Sequence, residues 1–251
     1  MKHSYPIIEI AETASTNSYI RQLHEAEQLS EGATVVARFQ THGRGQMGNG
    51  WESEAGKNLL FSTLLFPVKV KATGQFIISQ TVALSLQEAL ERYVNPVAIK
   101  WPNDIYYGEK KLAGILIEND ICGKTIAVSV VGVGVNVNQE VFVSDAPNPV
   151  SLKQILGYEV DKEQLLQLFL ERLSFNYALL NKGKCNEIRE KYYMALFRKA
   201  GFFPFRDRQS LFMAQIAGVD AMGYLHLITE GGEKRKYFFK ELSFVLSSEK
   251  S

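Results

Sequence analysis

The hydrophobic positions along most of the chain switch between the period of a strand and the period of a helix. Residues 125–137, TIAVSVVGVGVNV, are almost continuously β-branched, which predicts a central strand covered on both faces. The other predicted strands of this part are residues 7–10, 33–39, 58–66, 97–101, 105–108 and 112–119. Apolar residues at helical spacing predict one helix that begins after Ser15 and Thr16, and others at 76–94, 161–183 and 185–197.

The pattern changes beyond about residue 200. Residues 210–219, 223–231 and 234–242 are short strand-like runs separated by turns that contain glycine, with no helical period. This pattern of short strands and glycine-containing turns is typical of a small all-β barrel. We therefore predict an α+β domain at residues 1–198 and a second, barrel-shaped domain at residues 199–251.

Composition limits the class of protein. The 251 residues suffice for one large domain with a small one, and 28 Lys and Arg against 27 Asp and Glu leave a charge of +1. That balance gives no general attraction to nucleic acid or to acidic membranes. Cys122 and Cys185 cannot form a disulfide framework, and residues 76–90 are too short and too polar to span a bilayer. Since the N-terminus also lacks a signal-peptide core, we expect a soluble, cytoplasmic protein with no membrane partner.

The loop HGRGQMGNGW at residues 42–51 contains the spacing G-x-G-x-x-G of a dinucleotide-binding turn. Such a turn opens a helix and is followed by an acidic residue about 20 positions later. Here residues 49–58 have no apolar period, and residues 65–70 contain no acid. Two interpretations remain open: a mobile loop with a solvated arginine, or a loop whose amides and Arg44 bind a phosphate or carboxylate.

Three further motifs each allow a structural and a functional interpretation. KWPND at residues 100–104 is a tight turn, or it presents a cation and a carboxylate to a phosphate and its magnesium. KKLAGIL at residues 110–116 is a hairpin tip with solvated lysines, or one lysine points inward. ASTN at residues 14–17 begins a helix, and its amides and hydroxyls are equally able to bind a polar ligand.

Two glycines interrupt the predicted central strand. Gly132 and Gly134 lie two apart and hence on one face, which suggests that a group packs flat against them. Asn136 lies on that same face, where an amide needs a hydrogen-bond partner. Crowding within the core is the simpler explanation, and a ligand slot is the other.

The order of these motifs resembles that of the biotin protein ligase family. STN, GRG…W, KWPND, KLAGIL and GVGVN follow one another within residues 10–246. The resemblance implies a mixed or antiparallel sheet with helices, as in class II aminoacyl-tRNA synthetases, and a small C-terminal SH3-like β-barrel. It also implies a biotin–[biotin carboxyl-carrier protein] ligase. Such an enzyme uses ATP and Mg²⁺ to form biotinyl-5′-AMP, and it transfers biotin to a lysine of a carrier protein or domain of a biotin-dependent carboxylase.

The resemblance also assigns roles to residues at matching positions. Lys111 and Arg44 would meet where the biotin carboxylate attacks the α-phosphate, and Asp104 would be the third catalytic residue and a magnesium ligand. The implied biotin contacts are Ser15, Thr16, Asn17, Gln40, Gly43, Arg44, Gly45, Gln46, Lys111, Gly114, Leu116, Gly132 and Gly134. The implied ATP contacts are Arg44, Trp51, Lys100, Asn103 and Asn136, with Trp51 closing over the ligand.

The chain departs from the family pattern at two places. Many relatives carry further arginines in the glycine loop, whereas this chain has Gln46, Met47, Asn49 and Gly50. We therefore expect the loop either to hold the adenylate less tightly or to rely on backbone amides. Residues 137–152 should contain the loop that covers adenine, in which Phe142 is the candidate stacking residue.

Other functions predict different sequences. Regulatory family members carry an N-terminal helix-turn-helix of about 50–60 residues, whereas 14 residues precede Ser15 here, so we expect no DNA binding. Lipoate– or octanoate–protein ligases share the architecture and the chemistry of the first domain, but KWPND and KLAGIL favour biotin. A non-catalytic module that only binds carrier proteins would not need Lys111, Arg44 and Asp104 together. A homodimer is left open.

Overall fold

The computed structural model describes residues 6–143 and 148–246. The helices of these residues are α1 (Thr16–Glu27), α2 (Phe76–Leu90), α3 (Leu152–Leu156), α4 (Lys162–Asn181) and α5 (Cys185–Met194). The strands are β1 (Ile7–Thr13), β2 (Thr34–Gln40), β3 (Leu59–Leu65), β4 (Val97–Lys100), β5 (Asp104–Tyr107), β6 (Lys110–Cys122), β7 (Thr125–Val135), β8 (Phe203–Arg206), β9 (Leu211–Val219), β10 (Leu225–Thr229), β11 (Lys234–Tyr237) and β12 (Ser243–Phe244).

The first seven strands form one mixed sheet in the order β1-β2-β3-β7-β6-β5-β4. Only β1 and β2 pair in parallel, and the other neighbours are antiparallel. The predicted α+β class with a mixed sheet is therefore confirmed. The β-branched run does form the central strand, because β7 has three strands on each side.

Helices cover the two faces of this sheet unequally. The almost entirely buried α2 packs with α4 and α5 over one face, where the Phe61 and Phe169 rings lie 5.0 Å apart. On the other face α1 buries Ile20 against Val35, Leu64 and Val130. That small core reaches only part of the face. The glycines of β6 and β7 lie beyond it, and the candidate site occupies this remaining area.

The last five strands form a separate sheet in the order β11-β10-β9-β8-β12. Within the described residues β11 pairs only with β10, and the two-residue β12 pairs only with β8, so the sheet is open. The predicted closed SH3-like barrel is thus not confirmed, because the strand after β11 turns back beside β8 instead of pairing with β11.

The open sheet packs tightly against the first one. The Trp101 indole N–H donates to the carbonyl of Gly223 at 2.9 Å. Arg198, at the predicted domain boundary, pairs with Glu109 at 2.6 Å and donates to the Val245 carbonyl at 2.9 Å. The side chain at the boundary thus contacts both units, and the division at residues 198 and 199 stays a prediction.

Residues 137–152 lead into α3, a helix that the hydrophobic pattern did not predict. Ser151 and Gln154 form a reciprocal capping box at the start of α3, a helix too short to show a period of its own. Residues 144–147 of this segment lie outside the described residues. In the part of the chain that the structure describes, no helix is long and apolar enough to cross a membrane, and Cys122 and Cys185 are free thiols.

Candidate active site

A pair of glycines opens a flat gap on the sheet. Gly114 of β6 lies directly opposite Gly134 of β7, so neither strand places a side chain there. The Trp51 ring fills part of the gap. A Cβ on Gly134 would lie 2.4 Å from Trp51 Cε2, and one on Gly114 would lie 2.9 Å from Trp51 Cζ3. Likewise, a Cβ on Gly132 would lie 2.3 Å from Asn17 Oδ1. The close approach of these side chains explains the glycines on one face.

The glycine loop places Trp51 over this gap. The Trp51 backbone N–H donates to the Gly43 carbonyl at 2.9 Å, and the Gly45 backbone N–H donates to the Asn49 carbonyl at 2.7 Å. Between them Gln46–Gly48 form one short 3-10 turn. The loop therefore folds back on itself and opens no long helix, which agrees with rejecting the dinucleotide-binding turn. The Trp51 Nε1 is buried without a partner among the described residues, so a ligand acceptor there would satisfy it.

Lys111 and Asp104 form an ion pair beside this indole. Lys111 Nζ lies 2.8 Å from Asp104 Oδ1, and both side chains are mostly buried. The same ammonium lies 5.7 Å from the centroid of the Trp51 ring. Asp104 is the β5 partner of Gly114 in the sheet, so the strand register itself brings the carboxylate to the glycine gap. A positive group next to a partly enclosed slot suits an anionic ligand.

Arg44 has other partners than Lys111 has. Its Nη2 lies 3.3 Å from Glu118 Oε2 and 3.2 Å from Ser18 Oγ, whereas Lys111 pairs with Asp104. The two cations line one cavity but do not meet at a shared partner. Since the Arg44 side chain is 46% exposed, its ion pair is weak, and the guanidinium is able to turn toward a bound anion.

A polar network supports the start of α1. Asn17 Oδ1 accepts from Ser62 Oγ at 2.6 Å, and Ser62 Oγ lies 2.7 Å from Thr16 Oγ1. The Gln40 side-chain oxygen accepts from the Thr16 N–H at 2.8 Å. Ser62 is fully buried opposite Gly132, and it was not predicted. A lone serine within the apolar run of β3 was the available signal, but its neighbours depend on strand register.

The KWPND turn contributes Lys100 and Asn103 to the cavity. Lys100 Nζ lies 5.1 Å from the ring centroids of both Tyr106 and Phe244. The Asn103 side chain donates to the Ile115 carbonyl at 2.5 Å. The asparagine thus fixes the turn against β6, while the ammonium of Lys100 reaches between the two sheets.

Two buried aromatic residues, one of them within the turn, fix the KWPND turn to its surroundings. The Trp101 N–H reaches Gly223, and the Tyr192 hydroxyl lies 3.5 Å from the Pro102 carbonyl. Complete burial raises the pKa of Tyr192 above its ordinary value of 10.0. The phenol therefore stays protonated and serves as a neutral donor.

These groups line one cavity of about 510 Å³. The predicted site residues in its wall are Ser15, Thr16, Asn17, Gln40, Arg44, Gly45, Gln46, Trp51, Lys100, Asn103, Asp104, Lys111, Gly114, Leu116, Gly132 and Gly134. The strand β12 and the residues on either side of it add side chains that were not predicted, namely Phe239, Lys240, Leu242, Ser243, Phe244 and Leu246. No sequence signal near these positions indicated that role.

Three predicted positions lie outside the lining. Gly43 backs Trp51, since a Cβ there would lie 2.6 Å from the Trp51 carbonyl oxygen. The Asn136 amide donates to the carbonyls of Lys111 at 3.4 Å and of Val150 at 3.3 Å, so it holds backbone together. Phe142 is half-buried away from the cavity wall.

Comparison with known proteins shows the family to which this chain belongs. A family model described as the biotin/lipoate A/B protein ligase family matches residues 10–136, slightly more than half of the chain and nearly all of the strands around the cavity. The chain belongs to that family. It is 36% identical over 166 residues to a biotin–[acetyl-CoA-carboxylase] ligase of Paracoccus denitrificans, a match that covers 63% of this chain and 68% of that protein.

The chain also matches a relative that is longer than itself. It is 31% identical over 216 residues to a bifunctional ligase/repressor of Bacillus subtilis, covering 82% of this chain and 65% of the relative. The chain thus spans just under two thirds of that relative's length. A solved structure of a biotin protein ligase from Aquifex aeolicus in complex with biotin and ATP is similar over 96% of this chain and 99% of that one, with a TM-score of 0.77 and 27% identity.

Proposed function

We propose that this protein activates biotin with ATP as biotinyl-5′-AMP and transfers the biotinyl group to a lysine of a biotin carboxyl carrier domain. One observation carries the proposal. The Trp51 indole lies over the Gly114–Gly134 pair, and at its edge Lys111 and Asp104 form an ion pair. The slot suits a flat apolar group, and Lys111, held in place by Asp104, presents its ammonium where a carboxylate and a phosphate would meet.

The hydrogen-bond donors and acceptors at the start of α1 and the end of β2 suit the ureido head of biotin. The Asn17 amide nitrogen donates to Glu118 Oε2 at 2.8 Å and to the Leu116 carbonyl at 3.3 Å, which uses both of its hydrogens. Its oxygen accepts from Ser62 and keeps one lone pair for a ureido N–H. Because the Gln40 oxygen is held by Thr16, the Gln40 amide nitrogen is the end that can donate to the ureido carbonyl.

Adenylation brings two anions together, so charge and position dominate its barrier. A carboxylate oxygen of biotin forms a bond to the α-phosphorus of ATP, and the bond from that phosphorus to the bridging oxygen of pyrophosphate breaks. Lys111, oriented by Asp104, stabilises the charge that builds up on the α-phosphoryl oxygens. Lys100 lines the same cavity and is our candidate contact for the phosphates that leave.

Magnesium fits this site only as a partner of ATP. The described residues contain no group of three or more His, Cys, Asp or Glu side chains able to hold a metal ion. Asp104 has one oxygen on Lys111 and a second one available. Since Mg²⁺ is held by one or two carboxylates and substrate phosphates, Asp104 is its candidate protein ligand. When bound, the ion neutralises phosphate charge.

Transfer to the acceptor needs no further cofactor. The neutral amine of an acceptor lysine attacks the acyl carbon of the adenylate and loses one proton to solvent as the amide bond forms. AMP leaves with the electron pair of the broken C–O bond. Trp51 and the glycine loop exclude water from the mixed anhydride until the acceptor lysine attacks it.

The test is a transfer assay with a purified biotin carboxyl carrier domain. Biotin, ATP and Mg²⁺ should add one biotinyl group to one lysine, detected by intact mass and peptide sequencing. Lipoate and octanoate serve as parallel substrates, because the matching family model covers ligases of both kinds. Modification by lipoate alone would replace our proposal with the lipoate ligase. No modification by any of the three would favour a module that only binds the carrier.

A further inference from the structure

A second cavity of about 250 Å³ lies between α2, α5 and β9. Among the described residues it shares no lining side chain with the candidate active site. Tyr192, Tyr193 and Leu196 line it, and so does Gln80 of α2. A volume of this size is several times what one water molecule occupies. Neither the sequence motifs nor the proposed reaction uses this cavity.

Gln80 is the polar side chain that sets this cavity apart. Only 3% of the residue is exposed. Its side-chain amide has no hydrogen-bond partner among the described residues. The amide is still open to the cavity, because it is not one of the polar atoms that the surrounding chain closes off completely. Since buried amides in proteins are normally paired, Gln80 offers a donor and an acceptor, side by side, to a molecule in the cavity.

The other lining side chains favour a neutral, flat molecule. The charged ones are Arg189 and Glu190, one of each sign, so the lining carries no net charge. Tyr192 and Tyr193 present aromatic rings, which pack well against another ring. A planar ring whose edge carries a donor beside an acceptor therefore matches both the rings and the Gln80 amide.

An extended peptide matches the cavity less well. β9 pairs with β8 only as far as Ala214, so among the described residues its edge from Gln215 onward has no neighbouring strand. The Tyr193 hydroxyl occupies that edge, because it donates to the Ile216 carbonyl at 3.3 Å. A register shift between Ile216 and Gly218 also bends β9 there. An added strand would have to break the bond of the phenol, whereas a compact ring leaves it in place.

We propose that this cavity binds a neutral planar ring that carries a carboxamide, and that Gln80 recognises the carboxamide through two parallel hydrogen bonds. The Gln80 nitrogen donates to the ligand carbonyl, and the Gln80 oxygen accepts from the ligand N–H. The site is separate from the proposed ligase reaction, so neither conclusion depends on the other.

The test is a titration of the full chain with nicotinamide, followed in two-dimensional ¹H–¹⁵N NMR spectra. The side-chain amide signal of Gln80 is assigned by its loss in Gln80→Leu, and it should shift saturably with a Kd of about 1 mM or below. Methyl nicotinate has nearly the same size but no N–H. It leaves the Gln80 oxygen unpaired and should bind at least about fivefold more weakly. Saturating biotin and ATP should not displace nicotinamide, because the two cavities share no described lining residue.

Gln80→Leu and Gln87→Leu form a matched pair of variants, because both glutamines are buried in α2. Gln87 lies outside the lining, and its amide donates to the Val97 carbonyl at 3.2 Å. The backbone amide signal of Gly218 reports binding in every variant, since Gly218 lines the cavity. Gln80→Leu should bind nicotinamide at least about fivefold more weakly, and it should unfold at no lower urea concentration than the wild type, because it leaves no partner unpaired. Gln87→Leu should keep the wild-type Kd and unfold at a lower urea concentration.

Each other outcome counts against the proposal. No saturable shift in the wild type would show that the cavity holds water only. Equal affinity for methyl nicotinate, wild-type affinity in Gln80→Leu, an equal loss of affinity in Gln87→Leu, or displacement by biotin and ATP would each overturn recognition by Gln80. None of these results bears on biotin activation, which the transfer assay tests separately.

Discussion

Glu118 holds Arg44 of the glycine loop and Asn17 of α1 with one carboxylate oxygen. Glu118 Oε2 lies 3.3 Å from Arg44 Nη2 and 2.8 Å from Asn17 Nδ2. Arg44 is the only Lys or Arg between residues 42 and 51. The charge that this loop can offer to an adenylate is therefore engaged by a strand residue, and binding of the anion must compete with Glu118.

We predict that Glu118→Gln slows the release of biotinyl-5′-AMP. Glutamine keeps an acceptor for Asn17 but removes the charge that holds Arg44. Since an exposed ion pair contributes about 0.2–1 kcal/mol, the release rate should fall by up to about fivefold. A chase with unlabelled biotin measures it. Arg44→Gly should form the adenylate but release it onto bystander lysines, and Glu118→Gln should have no effect in that background. A slower release there too would show that Arg44 is not the group being freed.

Lys111→Ala should abolish adenylation. The ammonium lies beside Asp104 and the Trp51 ring, where our proposed reaction brings the two anions together. Removing one such group usually lowers the rate by about 10²–10³-fold. The measurement is the exchange of labelled pyrophosphate into ATP at saturating biotin. Lys110→Ala is the matched control, because the neighbouring Lys110 is exposed and makes no contact in the cavity wall. Equal losses in both variants would remove the specific role of Lys111.

Gly134→Ala should weaken biotin binding. The new methyl would lie 2.4 Å from the Trp51 ring and push it out of the glycine gap. Crowding of this kind costs about 1–3 kcal/mol, which corresponds to about 5- to 150-fold in Kd. Calorimetry measures the change. Gly74→Ala is the control, because no atom lies within 4 Å of the added Cβ. Wild-type affinity in Gly134→Ala would mean that Trp51 does not form a wall of the biotin site.

Trp101→Phe should loosen the C-terminal sheet. It leaves the buried carbonyl of Gly223 without its donor, which lowers the free energy of unfolding by about 1–3 kcal/mol. Urea denaturation measures it. Trp51→Phe is the comparison, since the Trp51 indole N–H has no partner among the described residues and its loss orphans no acceptor. If both variants lose equal stability, the loss comes from the smaller ring and the hydrogen bond to Gly223 contributes nothing measurable.

The hydrophobic pattern predicted the sheet well because strand period and glycine placement are local properties. Gly132 and Gly134 share a face by periodicity alone, and the structure adds what packs there, Asn17 and Trp51. The dinucleotide-binding turn was correctly rejected from the residues after the loop.

The sequence did not predict the roles of side chains whose hydrogen-bond partners lie on other elements of the fold. Ser62 and Glu118 lie near their partners because of the strand order β3-β7-β6, and that order follows from long-range pairing. Trp101 and Gly223 are 122 positions apart, so no local pattern could show that the C-terminal sheet closes the cavity. The closure of the predicted barrel was not confirmed for a similar reason, because composition indicates short strands but not which of their edges pair.

The most direct test of biotin activation is exchange of labelled pyrophosphate into ATP by the wild-type protein at saturating Mg²⁺, with biotin or lipoate as the only acyl substrate. Our account predicts rapid exchange with biotin and background exchange with lipoate. Exchange that does not depend on biotin, or that occurs only with lipoate, would contradict it.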